Sequence, residues 1–257
     1  MIRWLLDLGH HRYKVAAARD RALLSDSFTA LPAGDNAAWP VAALRRYGPP
    51  DEIVVAAVIP AAERDAALAA LYAAEPDLHA ARCTQLNSPQ HFAALENAYR
   101  EPARLGIDRF AALVGARKTA QTPVLVADAG SALTLDAADA AGRHLGGWIL
   151  PGIERSREAL GRLDPTLLSA PAADPAHFGD FGTDTASAIA SGLLHAQVGA
   201  IERMRRLLKR RGLWPVSVFL TGGGGAALLP LLSCEAVYDP LLVLRGMLAM
   251  ASGDERA

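Results

Sequence analysis

The stretch VLVADAGSALTLD, Val124–Asp136, decides the fold that this sequence predicts. Its apolar start, Val124–Val126, is typical of a strand buried inside a sheet. Asp128 is therefore expected where the strand leaves the core. Gly130 permits a tight turn that leaves backbone amides facing an anion, and Ser131 adds a hydroxyl. The stretch predicts half of a phosphate and metal clamp, although a lone motif of this kind is more often an acid in a β-hairpin turn.

The same pattern occurs near the start of the sequence, where an apolar run leads to Asp7, one further residue and Gly9. Two copies favour a duplicated pair of domains that hold phosphates and a divalent ion between Asp7 and Asp128. Lys14, on the predicted returning strand, is a candidate for pointing toward this cleft. A solvated strand lysine is the alternative at that position.

Length and composition limit the classes of function. A chain of 257 residues forms one large domain or two modest ones, and the repeated motif favours two, 1–118 and 119–257. The net charge of -1 argues against nucleic acid as the main partner. The two cysteines, Cys83 and Cys234, have no disulfide or zinc spacing, which predicts a reduced, cytoplasmic location. Apolar runs are too short to predict a membrane span.

Strands and helices are predicted to alternate along the chain, which is typical of an α/β fold. The predicted strands are 2–8, 12–16, 51–58, 83–86, 124–126 and 216–221. The predicted helices are 37–47, 61–74, 110–118, 154–168 and 186–208, with a loop at 169–180.

A second informative stretch runs from Tyr99 to Arg109. Pro102 and Gly106 interrupt it as a loop, and Asp108 precedes the predicted helix. An acid at this place commonly complements the helix dipole, and Arg109 is commonly a surface residue, so the pattern alone leaves both interpretations open.

Four glycines, residues 222–225, follow the last long predicted strand and favour close approach of the backbone to a nucleotide. Their spacing differs from the phosphate loop of P-loop kinases and from the dinucleotide fingerprint of Rossmann dehydrogenases, which argues against both classes.

Taken together, these motifs resemble the type III pantothenate kinases, a family also called Bvg accessory factor. The motifs that carry the resemblance follow one another along nearly the whole chain. They are Asp7-Leu8-Gly9 with Lys14, Tyr99 with Leu105–Arg109, Asp128–Ala132 through Asp136, Gly146–Gly152, Gly182–Thr185 with Ser191-Gly192, Thr221–Gly223, and Leu242–Met247.

The resemblance implies an α/β fold of the actin and sugar-kinase superfamily, with two ribonuclease H-like domains whose mixed sheets are flanked by helices. It implies ATP-dependent phosphorylation of pantothenate, the first step of coenzyme A synthesis, with ATP in the cleft between the domains. It also implies Mg²⁺, a monovalent cation (K⁺ or NH₄⁺) and a homodimer.

The resemblance further implies a role for each matching residue. Asp108 is the implied general base that accepts the proton of the pantothenate hydroxyl. The implied substrate-binding residues are Tyr99, Gly106, Arg109 and Thr185, the last contributed by the partner subunit. The implied ATP and phosphate ligands are Asp7, Gly9, Lys14, Gly130, Ser131, Gly222 and Gly223, and the implied metal ligands are Asp7 and Asp128.

The sequence departs from the family pattern in its first motif, where His10 and His11 stand in place of the usual Asn and Thr or Ser. Ser131 replaces the usual Thr, and Gly224 stands where an acid is often found. These departures keep a second interpretation open: a catalytically impaired family member that acts as a dimeric binding or regulatory protein. A third interpretation keeps the fold and changes the acceptor to another small hydroxylated molecule.

Overall fold

The computed structural model describes residues 1–34, 39–168 and 181–254, which form two compact units. Unit 1 comprises the described residues of Met1–Gln121, Ala141–His144 and Leu241–Ala257. Unit 2 comprises those of Thr122–Ala140 and Leu145–Pro240. The predicted domains, 1–118 and 119–257, describe the two halves of a duplication, whereas the units are groups of residues that contact one another. The division into these two domains stays a prediction.

Unit 1 is built on a mixed sheet with the strand order β3-β2-β1-β5-β6, in which β4 also pairs with β2. The strands are β1 (Ile2–Leu8), β2 (Arg12–Arg19), β3 (Ala22–Leu23), β4 (Thr29–Pro32), β5 (Glu52–Ala57) and β6 (Arg82–Gln85). Strand β1 pairs antiparallel with β2 and parallel with β5. Because β1 lies inside the sheet, its apolar side chains are buried on both faces, as the continuous apolar run predicts.

Helices and a small hairpin complete unit 1. They are α1 (Val41–Arg45), α2 (Ala61–Ala74), β7 (His91–Phe92), β8 (Leu95–Glu96), α3 (Ile107–Arg117) and α7 (Leu242–Ala251). Helices α3 and α7 pack with their backbones almost in contact. A Cβ atom on Gly246 would lie 1.8 Å from the carbonyl oxygen of Ala111, so this crossing requires glycine.

Unit 2 has a five-stranded sheet with the order β11-β10-β9-β12-β13. Its elements are β9 (Val124–Ala129), β10 (Ala132–Ala138), β11 (His144–Pro151), α4 (Ile153–Leu163), α5 (Thr185–Arg210), β12 (Ser217–Thr221), α6 (Gly225–Leu228) and β13 (Val237–Tyr238). Leu125 and Ala127 on β9 join the core that Leu194 and Ile201 of α5 help to form. Asp128 alternates to the opposite face, as a strand period of two requires.

Most predicted elements are confirmed, with differences at their ends. The predicted helix 154–168 is wrong beyond Leu163, because Pro165 disfavours the helical conformation at Asp164, which is extended, and Pro165–Leu168 forms a separate 3₁₀ turn. The predicted helix 37–47 is confirmed only for Val41–Arg45, and the predicted loop at 169–180 lies outside the described residues. Of the helices described, none combines the length and the apolar character needed to cross a membrane.

Candidate active site

The first acidic motif forms a charged pair at the end of β1. Asp7 is buried, with 5% of its surface exposed, and lies opposite Lys14 on β2. The Nζ atom of Lys14 is 3.4 Å from Oδ2 of Asp7. A carboxylate and an ammonium group side by side can bind a metal ion and a phosphate respectively.

Gly9 closes the turn that joins β1 to β2. Its N–H donates to the carbonyl oxygen of Arg12 at 3.1 Å, and a Cβ atom at Gly9 would lie 3.0 Å from the same oxygen. His10 and His11, which replace the usual family residues, are exposed in this turn. The carbonyl oxygen of His11 accepts from the N–H of Ala33 at 2.9 Å. This bond ties the backbone of the turn to the residue that follows β4.

The second acidic motif ends β9 in unit 2. Gly130 and Ser131 are exposed in the turn that follows. The N–H of Gly130 donates to the carbonyl oxygen of Ala132 at 3.0 Å, so this amide closes the turn, contrary to the expectation that it stays available to an anion. A Cβ atom on Gly152 would lie 2.6 Å from the carbonyl oxygens of both Gly130 and Ser131. Gly152 therefore packs directly beneath the turn, a contact that the sequence did not reveal.

The glycine loop after β12 joins this motif. Gly222 has a φ angle of +80°, and a Cβ atom there would lie 2.3 Å from Oδ1 of Asp128. The N–H of Gly224 donates to the carbonyl oxygen of Ala129 at 2.9 Å, while Gly223 is exposed. The loop thus wraps around the end of β9 and places its backbone against the Asp128 carboxylate.

The third group of predicted site residues lies at the start of α3 in unit 1. Gly106 is the N-cap residue of the helix, and Asp108 and Arg109 lie in its first turn. Oδ1 of Asp108 accepts from the N–H of Arg109 at 2.8 Å, and a Cβ atom on Gly106 would lie 2.6 Å from this oxygen. The first turn of the helix stabilises a negative charge on Asp108, and a side chain at 106 would displace the carboxylate from this position.

Tyr99 holds the guanidinium group of Arg109 in position. The guanidinium group is largely buried, and its Nη1 donates to the hydroxyl of Tyr99 at 2.9 Å. Its Cζ atom lies 5.8 Å from the centre of the tyrosine ring. A guanidinium group held in this way has donors in a fixed fork that suits a carboxylate ligand.

Two further residues support Tyr99, and sequence reasoning missed both. The ring of His144 stacks on Tyr99 with ring centres 6.2 Å apart. Asn97 is buried, accepts from the N–H of Tyr99 at 3.0 Å, and donates to the carbonyl oxygens of Pro89 and Pro102 at 3.2 and 3.1 Å. No periodic pattern marks Asn97, and His144 is too distant in sequence for its contact to be inferred.

Thr185 is the first residue of α5 in unit 2, and its side chain is exposed. The preceding Asp184 caps the helix in a capping box with Ser187. Hydrogen bonds from the backbone N–H and the hydroxyl of Ser187 lower the pKa of Asp184. Thr185 therefore lies on a well-fixed helix start in unit 2, whereas the other residues that were predicted to bind substrate belong to unit 1.

The structure thus assembles the predicted residues other than Thr185 in three clusters, each within one unit. Within unit 1 these are Asp7 with Gly9 and Lys14, and Tyr99 with Gly106, Asp108 and Arg109; within unit 2 it is Asp128 with Gly130, Ser131, Gly222 and Gly223. Among the residues that the structure describes, no three His, Cys, Asp or Glu side chains form a metal cage. Single carboxylates such as Asp7 and Asp128 fit Mg²⁺, which usually binds to one or two carboxylates together with phosphates and waters.

Comparison with solved structures identifies the fold. A Baf family protein from Campylobacter jejuni aligns over 98% of this chain and 99% of its own, with a TM-score of 0.59 and 21% identity. The activator of the 2-hydroxyisocaproyl-CoA dehydratase from Clostridium difficile, solved with bound ADPNP, aligns over 100% and 96%, with a TM-score of 0.51 and 13% identity. The chain shares the fold of these two proteins, and the predicted α/β class with mixed sheets flanked by helices is confirmed.

Comparison of sequences identifies the family. The family model for type III pantothenate kinase matches residues 5–207. The type III pantothenate kinase of Stenotrophomonas maltophilia K279a is 37% identical over 256 residues, covering 96% of each chain. That of Xanthomonas campestris pv. campestris B100 is 35% identical over 263 residues, covering 98% of each. The chain belongs to the type III pantothenate kinase family.

Proposed function

We propose that this kinase transfers the γ-phosphoryl group of ATP to the primary hydroxyl of pantothenate, with Asp108 as the general base. Membership of the family supports the reaction, which begins coenzyme A synthesis. The observation that carries the proposal is the cluster of Asp108, Arg109 and Tyr99 at the start of α3. In this cluster one helical turn carries a carboxylate and a guanidinium group on adjacent residues, which are the two groups that a hydroxyl acceptor with its own carboxylate requires.

Asp108 takes the proton of the hydroxyl as the oxygen attacks phosphorus. The first turn of α3 favours its ionised form, which is the form that can accept a proton. Arg109 binds the carboxylate of pantothenate, and Tyr99 holds Arg109 in position. Gly106 leaves space for the Asp108 carboxylate. We also propose a homodimer in which Thr185 of the partner subunit completes the pantothenate site.

The two acidic motifs hold the phosphates. Lys14 neutralises phosphate charge beside Asp7, and the Gly9 turn lets the backbone approach. Ser131 donates its hydroxyl, while Gly130, Gly222 and Gly223 keep the loops around Asp128 free of side chains. Asp7 and Asp128 are the proposed ligands of Mg²⁺, which when bound neutralises charge that develops on the phosphates. We also propose that the reaction uses a monovalent cation, K⁺ or NH₄⁺.

The remaining partners follow from charge and composition. A net charge of -1 leaves no broad basic field, so we propose no nucleic-acid or membrane partner and expect small anionic substrates to bind at local charged sites. Cys83 and Cys234 are free, and their sequence spacing is not that of a disulfide framework or a zinc site, which supports a cytoplasmic location.

Asp108→Asn tests the proposal. Removing the base is expected to lower kcat for pantothenate-dependent ADP release about 10²- to 10⁴-fold, since general-base catalysis has this magnitude. Asp65→Asn, an exposed carboxamide substitution on α2, is the matched control and is expected to leave kcat unchanged.

Two results would contradict the proposal. Folded wild-type protein that releases no ADP in response to pantothenate, across Mg²⁺ with K⁺ or NH₄⁺, excludes the reaction. Asp108→Asn with wild-type kcat excludes this residue as the base.

A further inference from the structure

Thr221, the last residue of β12, has a buried hydroxyl that the mechanism above does not use. The residue has 0% of its surface exposed, and its Oγ1 atom has no hydrogen-bond partner among the residues that the structure describes. Buried polar groups nearly always have a partner, because leaving one unpaired forfeits its interaction with water. Packing alone does not account for a threonine here, since valine has the same shape.

The sheet register places Thr221 beside Asp128. Thr221 pairs with Asp128 on β9, and Asp128 pairs with Thr134 on β10. Residues in register on neighbouring strands project from the same face of a sheet, so these three polar side chains form a row across it. The Asp128 carboxylate lies toward β12, since its Oδ1 would be 2.3 Å from a Cβ atom on Gly222, the residue after Thr221.

We propose that Thr221 is a positioning residue for phosphoryl transfer, whose hydroxyl donates a hydrogen bond to the Asp128 carboxylate once the nucleotide is bound. An ionised carboxylate has about four acceptor positions, so this bond is compatible with the other contacts of Asp128. Rotation about the Cα–Cβ bond redirects the hydroxyl without moving the strand. The bond fixes one orientation of the carboxylate toward the phosphates.

The inference rests on the proposed function of Asp128. It predicts that loss of the Thr221 hydroxyl affects stability and nucleotide binding differently. Replacing a hydroxyl that is unpaired in the free protein does not reduce stability, whereas replacing one that is paired in the nucleotide complex weakens that complex. A purely structural threonine gives the opposite result. The two roles are therefore separable by measuring stability and nucleotide binding on the same variants.

The test compares Thr221→Val and Thr221→Ser with the wild type. Thr221→Val is expected to keep or raise the urea midpoint of unfolding and to weaken binding of ADP with Mg²⁺, measured by calorimetry, about ten- to a hundredfold. It lowers kcat and leaves the KM for pantothenate unchanged. Thr221→Ser keeps the hydroxyl and restores both affinity and kcat.

Thr122→Val is the matched control at the opposite end of the same sheet. The Thr122 hydroxyl is paired with that of Ser217 at 2.6 Å, so its loss is expected to lower the urea midpoint and to leave nucleotide affinity unchanged. A double variant, Asp128→Asn with Thr221→Val, shows whether the hydroxyl acts through the carboxylate. In the Asp128→Asn background the second substitution is expected to have little further effect.

Wild-type nucleotide affinity in Thr221→Val overturns the inference. A loss of stability like that of Thr122→Val, or failure of Thr221→Val to fold, overturns it as well, because each shows a structural partner. Full additivity in the double variant excludes action through Asp128. Absence of pantothenate-dependent ADP release in the wild type is a different failure, since it contradicts the proposed function while the nucleotide titrations still decide the role of Thr221.

Discussion

At the scale of single residues, Tyr99 is expected to act on pantothenate through Arg109. Tyr99→Phe removes the hydroxyl that accepts from Nη1 of Arg109 and keeps the ring that stacks on His144. The KM for pantothenate is therefore expected to rise about ten- to a hundredfold, as for the loss of a hydrogen bond to a charged group. Steady-state kinetics with ATP at saturation measure this change.

Tyr47→Phe provides the control for that substitution. Tyr47 forms a similar pair with Arg46, but the pair is exposed and lies on the segment after α1. The KM for pantothenate is expected to be unchanged in this variant. Equal KM values for Tyr99→Phe and the wild type would show that Arg109 does not depend on the tyrosine hydroxyl.

Whether a site residue can be predicted from the sequence depends on how far along the chain its contacts reach. Asp108 and Arg109 are predictable because they lie in one helical turn, and Asp128 and Gly130 because they share one strand and its turn. His144 and Gly152 are missed because each acts through a contact with another segment, which only the tertiary structure creates. Asn97 is missed because its hydrogen bonds lie within an irregular loop, where no periodic pattern marks them.

At the scale of elements, the crossing of α3 and α7 is expected to be sensitive to a single methyl group. Gly246→Ala places a Cβ atom 1.8 Å from the carbonyl oxygen of Ala111, so the helices must move apart. The expected loss is about 1–3 kcal/mol of the free energy of unfolding. Urea denaturation followed by circular dichroism measures it.

Gly199→Ala is the opposite case. Gly199 lies within α5, and apart from its own helix no atom of the described residues lies within 4 Å of a Cβ atom built there. Alanine favours the helix over glycine by about 1 kcal/mol, so this variant is expected to be more stable than the wild type. A stable Gly246→Ala variant would indicate that α3 and α7 pack less closely than the structure describes.

Local sequence patterns predict elements better than they predict how elements assemble. The alanine-rich run 61–74 is confirmed as α2 with both of its ends, because helix propensity and flanking proline act locally. Helix α3 begins three residues earlier than the predicted 110, because its N-cap is Gly106, which gives no side-chain signal. The docking of α7 on α3 in unit 1 depends on shape at Gly115 and Gly246, which no periodic pattern encodes.

At the scale of the whole molecule, each unit contains a buried glutamate whose charge stabilises the fold. Glu52 accepts from Arg3, Arg82 and Thr84 at 2.6–2.7 Å. Burial alone would raise its pKa, but hydrogen bonds from Thr84, Arg3 and Arg82 outweigh burial and lower the pKa below the ordinary value. In unit 2, burial would likewise raise the pKa of Glu202, and bonds from Ser233 and Arg205 lower it.

These shifts predict a loss of stability in acid. A carboxylate with a lowered pKa in the folded state stabilises the protein fully above its unfolded pKa of about 4.3, and this contribution is lost as the pH falls through the folded pKa. The free energy of unfolding is thus expected to fall as the pH decreases below about 4.3. Glu52→Gln and Glu202→Gln should each flatten this dependence, measured by urea unfolding across the acid range.

Glu63→Gln, an exposed substitution in the first turn of α2, is expected to keep the pH dependence of the wild type. The assignment to Glu52 and Glu202 is wrong if all three variants share the wild-type slope.

The docking of α7 on α3 also sets an order of events during translation. The ribosome completes α3 more than a hundred residues before it reaches α7. At about 5–20 residues per second, roughly 6–25 s pass between the synthesis of α3 and that of α7. Until then the face of α3 around Ala111 and Gly115 is not covered by α7. During that interval a nascent chain presents an apolar helix face that chaperones can bind, so unit 1 matures only after unit 2 has been synthesised.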